Sequence, residues 1–143
     1  MSNLSENAIA QFDAGHNCSQ AVVAAACEKL AFDKEAALNL AKSFGGGRHE
    51  VCGALAGGIL ALGLKYSTAA NTGSAQNDVV YSKARELVDR FQKRHGGINC
   101  KDLLGGCDLQ TAEGKSIFKE RGLKQVTCAC CVASVASILE EIL

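Results

Sequence analysis

The chain has 143 residues, of which 48% are hydrophobic and none is proline. That is enough for one ordinary domain with its own core. Fifteen acidic residues balance fifteen basic ones, giving a formal net charge of zero, so the chain carries no basic footprint for nucleic acid or an anionic membrane.

The opening segment MSNLSENAIAQF has no basic region followed by an apolar run, as a secretory signal would. The longest nearly uncharged stretch, residues 51–64, is too short to cross a bilayer. The expectation is a cytoplasmic protein without membrane insertion. Eight cysteines are many for such a chain. Structural disulfides are rare in a reducing compartment, so the count points to metal, cluster or thiol chemistry.

Helical periodicity runs through the whole sequence. LSENAIAQFDAG sets Leu4, Ala8, Ile9 and Phe12 on one face and stops at Gly15. A second helix is expected from about Ser19 to Ala31, with Cys27 as a small buried apolar residue. Asp33 caps a third, KEAALNLAKSF, which ends at the glycines 45–47. A glycine-rich helix over about 51–65 follows, then a polar loop over 67–77. DVVYSKARELVDRFQKRHG is amphipathic, with Val80, Ala84, Leu87, Val88 and Phe91 as its apolar stripe. NCKDLLG is a short helix, Thr111 caps TAEGKSIFKERG, and a helix beginning near Val126 closes the chain. No strand pattern stands out. The reading is one all-α domain over 1–143 with seven or eight helices.

Four segments repeat one local device: AGHNCSQAV, GGGRHEVCGAL, GGINCKDLL and GLKQVTCACCV. In each, a glycine precedes a cysteine at an expected helix start: Cys18, Cys52, Cys100 and Cys128. Asn17, Asn99 and Thr127 stand before three of them as capping residues. A helix N-terminus offers unpaired N–H groups and partial positive charge, which lowers a thiol pKa from about 8.5 into the range of roughly 3.5–7.5. Four such positions read as a site for anionic sulfur. The small residues Gly53, Ala54 and Gly57 would let their helix approach a crowded site closely.

Other residues extend the set. Cys128 and Cys131 form a C-x-x-C with Cys130 between them, a spacing suited to disulfide exchange. Val132 stands where covalent haem attachment needs histidine. Cys107 is either filler or an auxiliary thiol. His16, His49 and His95 each precede a constellation cysteine, and His49, beside Arg48, is the auxiliary ligand candidate among them. FGGGRHE is a weak anion-loop pattern, better read as a turn that delivers Cys52.

On NCSQAV, FGGG, VCGALAGG, GLKY, NCKDLLG and CACCV, over roughly 15–143, the chain resembles the C_GCAxxG_C_C family of small bacterial and archaeal redox-active proteins. The resemblance implies an all-helical fold, a redox role, and Cys18, Cys52, Cys100 and Cys128 as the functional set. That family is similar to part of the split-Soret cytochromes, but without C-x-x-C-H no covalent haem carries over. Cys130 and Cys131 lie outside the family pattern.

Three functions follow as expectations. The first is an iron–sulfur cluster for electron transfer on Cys18, Cys52, Cys100 and Cys128, with zinc as the alternative metal. The second is a thiol–disulfide oxidoreductase or redox sensor using Cys128 with Cys131, or Cys52 with a partner. The third is a non-catalytic scaffold whose glycine-rich helix forms a homodimer face. The redox partner protein is not specified by the sequence.

Overall fold

The computed structural model describes residues 3–46, 50–67 and 74–143, without the side chains of 74–76. The described chain is all-α. Its helices are α1 (Leu4–Asp13), α2 (Cys18–Leu30), α3 (Lys34–Ala41), α4 (Gly53–Tyr66), α5 (Ser74–His95), α6 (Cys100–Leu103), α7 (Ala112–Glu120) and α8 (Ala129–Ile142). A 3-10 turn, Lys42–Phe44, extends α3, and a π turn, Lys124–Cys128, leads into α8.

α2 is the central helix. Every residue from Ser19 to Cys27 is buried, as expected of a helix that is apolar on all sides. It packs on α1, α3, α4 and α8, while α8 packs on α1, α4 and α5. The main core joins Phe12, Val22, Leu55, Leu62, Leu87, Phe91, Val132, Val135, Ile138 and Leu139. Cys27 fills a smaller cluster with Val23, Ala37 and Ala41, in the packing role its apolar neighbours suggest.

The glycines of α4 explain how α2 and α4 come together. A Cβ at Gly57 would stand 2.6 Å from the Ser19 carbonyl oxygen. A Cβ at Gly53 would stand 3.2 Å from the Cys18 Cβ. At Gly58 it would meet Leu87 and Val135, each at 2.7 Å. Backbone therefore meets backbone where larger residues would hold the helices apart. Gly57 and Gly58 face the chain's own α2, α5 and α8, while Gly63 meets nothing within 4 Å.

Several boundaries differ from the sequence reading. α1 ends at Asp13, and Gly15 takes the left-handed conformation (φ 111°) just beyond it. α5 begins at Ser74, so part of the expected 67–77 loop is helical. α4 starts at Gly53 because Val51 is held in an antiparallel bridge with Asn99. The final helical run begins at Lys124, directly after Gly122 (φ 61°) turns the chain out of α7. By length and composition, Lys124–Ile142 could cross a membrane. Here Val132, Val135, Ala136, Ile138 and Leu139 are fully buried in the core.

Replacing Gly57 with alanine should cost about 1–3 kcal/mol of stability, the usual range for overpacking. Gly63 meets nothing within 4 Å, so Gly63→Ala should be neutral or gain up to about 1 kcal/mol. Urea unfolding of the two variants checks the contrast. Equal effects would contradict the close α2–α4 contact.

Candidate thiol site

Three local devices deliver the cysteines. Asn17 caps α2 through a capping box with Gln20, and its side-chain amide donates to the Lys42 carbonyl at 2.9 Å. This ties the start of α2, with Cys18 as its first residue, to the end of α3. The Val51–Asn99 bridge supplies the second device. The Cys52 N–H donates to Ile98 O at 2.7 Å, and the Cys100 N–H donates to Glu50 O at 2.8 Å. Cys52 and Cys100 leave this bridge together, Cys52 as the N-cap of α4 and Cys100 as the first residue of α6.

The third device is the π turn. It ends at Cys128, whose backbone is already right-handed helical (φ −64°). Cys128 is therefore not at a helix start, and Thr127 is not its cap. The helical run begins earlier because Gly122 ends α7 only two residues before Lys124. π turns interrupt helices mostly in short pieces and often at functional sites. Cys131 lies one helical turn beyond Cys128, on the same face.

Cys18, Cys52, Cys100, Cys128 and Cys131 line one cavity of about 400 Å³. Phe12, His16, Leu103, Leu104, Leu109, Phe118, Lys115 and Lys124 contribute to the remaining wall. Cys52 and Cys131 lie deepest, at 5% and 2% exposure. Cys18, Cys100 and Cys128 are half-buried.

The thiols are paired electrostatically. Cys131 holds its proton toward Cys52, which lowers the Cys52 pKa to about 7. Cys52 makes no close cap hydrogen bond, yet the amides of Leu55 and Ala54 also favour its thiolate against the cost of burial. Cys131 is correspondingly pushed well up by the same interaction, then by burial. In the second pair, Cys18 supplies a proton to Cys128 and lowers it, and the Lys124 ammonium acts in the same direction. Cys18 itself is pushed well up, first by Cys128 and then by burial.

Cys100 stands beside both pairs. Burial and the charge of Cys52 raise it to about 11, despite help from the Gly53 amide. Its thiol faces the Val51 carbonyl at 3.8 Å. The expectation that all four helix-start cysteines are acidified therefore needs correction. Helix-start amides favour the thiolate at both Cys52 and Cys100, and the net shift is downward only at Cys52, where the Cys131 hydrogen bond is the larger cause. Cys18 is raised first by Cys128 and then by burial, and at Cys100 burial and the charge of Cys52 outweigh the helix-end amides.

Cys107, Cys130 and His95 lie elsewhere. The Cys107 thiol is buried and donates to Gly114 O at 3.0 Å, and it does not line the cavity. Cys130 is exposed. His95 stacks on Phe91 with ring centroids 4.4 Å apart, and burial lowers its pKa. His49 and Arg48 lie outside the described residues. His16, one of the three histidines beside a constellation cysteine, lines the cavity, as do Lys115 and Lys124, which no sequence motif marked. Lys124 carries a weak signal in retrospect, since it lies one helical turn before Cys128.

Among the described residues, no three His, Cys, Asp or Glu side chains stand close enough together to hold one metal ion.

A helical core that gathers five thiols on one cavity defines a cysteine-centred redox protein. The chain belongs to the family described as "Putative redox-active protein (C_GCAxxG_C_C)", whose model matches residues 16–142. No curated protein matches the chain. No solved structure matches it either.

Ultraviolet absorbance of thiolate should show a step near pH 7 in the reduced protein. Cys131→Ala removes the proton donor to Cys52, so that step should move to higher pH. An unmoved step would mean that the α4 amides alone set the Cys52 pKa.

Proposed function

We propose that the protein carries out reversible two-electron dithiol–disulfide chemistry at Cys18/Cys128 and Cys52/Cys131. The observation that supports this is the convergence of Cys18, Cys52, Cys128 and Cys131 on one cavity. Each pair sets a thiol of lowered pKa against one that keeps its proton. Disulfide exchange needs both, a thiolate to attack and a second thiol to resolve the mixed disulfide. Cys128 is the more accessible of the two acidified sulfurs and meets an incoming disulfide first. Cys52/Cys131 is the inner pair. This reading places the weight on the alternative that the C-x-x-C spacing raised, but with each cysteine paired across helices and not with the other.

A second reading is favoured by the convergence of thiols from four separate segments. An iron–sulfur cluster would be held by Cys18, Cys52, Cys100 and Cys128, and would supply one-electron transfer. The donor chemistry fits, and Lys115 and Lys124 suit an anionic cluster. Zinc fits less well. It needs four ligands about 2.3 Å from one point for sulfur, and the described side chains do not gather that tightly.

The two readings separate in one experiment on protein purified without oxygen or chelator. Metal-free protein that titrates as a two-electron couple supports the dithiol reading. In that case Cys52→Ser and Cys128→Ser should each remove one couple. Iron with acid-labile sulfide in stoichiometric amounts, and a one-electron couple, would overturn it in favour of the cluster.

A further inference from the structure

The cavity beside the thiols is larger than disulfide exchange between two side chains requires. Its volume, about 400 Å³, falls within the range of small-molecule sites, roughly 300–1,000 Å³. Phe12, Leu104 and Phe118 give it an apolar wall, and Lys115 and Lys124 are the two lysines that line it. Among the described residues lining it there is no Asp or Glu. Lys124 is held in place, with its ammonium 5.1 Å from the centre of the Phe12 ring. A cation over an aromatic face is attracted to it, so this charge is positioned.

A neighbouring cavity of about 290 Å³ shares Cys100 and Leu109 but has the opposite character. Glu50, Asp102 and Asp108 line it, against Lys101. An anion approaching the cysteines is therefore favoured on the side of Lys115 and Lys124 and opposed on the other.

We propose that the larger cavity binds a small disulfide with an apolar body and a carboxylate or comparable anionic group, which Lys115 and Lys124 hold. The inference rests on the dithiol reading and names the substrate class of that same site. The Cys128 thiolate attacks one sulfur of the bound disulfide. The substrate S–S bond breaks, one half leaves as a thiolate, and the other half stays on Cys128 as a mixed disulfide. Cys18 gives its proton to the departing thiolate and attacks the Cys128 sulfur. The second half leaves as a thiolate, and a Cys18–Cys128 disulfide remains. Two electrons pass from the cysteine pair to the substrate.

The test uses reduced full-length protein and two aromatic disulfides of similar size, dianionic dithiobis(nitrobenzoate) and neutral dithiodipyridine. Initial rates are measured against disulfide concentration at low and high salt, relative to a free small thiol. The protein should favour the anionic probe more than the free thiol does, with a lower KM, and salt should weaken the preference. Lys115→Gln should cut the anionic-to-neutral ratio about two- to fivefold, the effect of one partly exposed charge pair. The groups that shift Cys128 are Cys18, Cys52 and Lys124, with burial, and an unchanged pH profile with the neutral probe in Lys115→Gln shows that the ratio reports binding and not thiol acidity. A ratio equal to that of the free thiol, or unchanged in Lys115→Gln, would overturn the substrate class while leaving the dithiol reading intact. Failure to reduce either probe would overturn both.

Discussion

The start of α4 lies against the start of α2 because Gly53 and Gly57 present no side chain there. Backbone atoms of Ser19 occupy the space that a Cβ at Gly57 would need. Cys18 and Cys52 stand at these two helix starts, so the contact between the helices is also what brings their sulfurs to one cavity. The Val51–Asn99 bridge then adds Cys100, and the packing of α8 on α2 and α4 adds Cys128 and Cys131. Four stretches of chain thus bring five sulfurs to the wall of one cavity.

That crowding decides the chemistry. An isolated buried thiol is inert, because burial disfavours its charged form. Cys27 shows this, since burial raises it and no partner thiol compensates. At the cavity the sulfurs compensate one another. Cys131 and Cys18 keep their protons and direct them at Cys52 and Cys128. The helix amides favour charge on Cys52, and Lys124 favours it on Cys128. All five could not ionise together, since every additional thiolate raises its neighbours, as Cys52 does to Cys100. Binding four thiolates to a cluster would require positive charge from the cluster iron itself, beyond what the two lysines supply.

The all-α architecture was legible because periodicity, capping residues and terminating glycines agreed along the chain. Asn17, Asp33 and Thr111 cap their helices as their positions suggest. Gly57 announced a close helix contact because glycine is costly inside a helix without such a reason. The pairing of the cysteines was not legible, since it depends on how helices from distant segments cross. The device of four helix-start cysteines failed at Cys128 for a local reason. With Gly122 so close, the helix begins at Lys124, and a π turn moves Cys128 into its interior. Cys131 was visible as half of a C-x-x-C, but that spacing in a helix places both sulfurs on one face and does not say which partner each one meets. Asn99 holds the N-cap position of α6 without a side-chain cap bond, because backbone bonds on either side of it in the bridge fix the turn.

The central claim is that the sulfurs work as two specific pairs drawn from different helices. Peptide mapping of the protein after mild oxidation, with free thiols blocked beforehand by acid quench and alkylation, tests it most directly. The account predicts two intramolecular disulfides, Cys18–Cys128 and Cys52–Cys131, with Cys27 and Cys107 remaining free. Disulfides that join Cys128 to Cys131, or that involve Cys107 or Cys130, would contradict it.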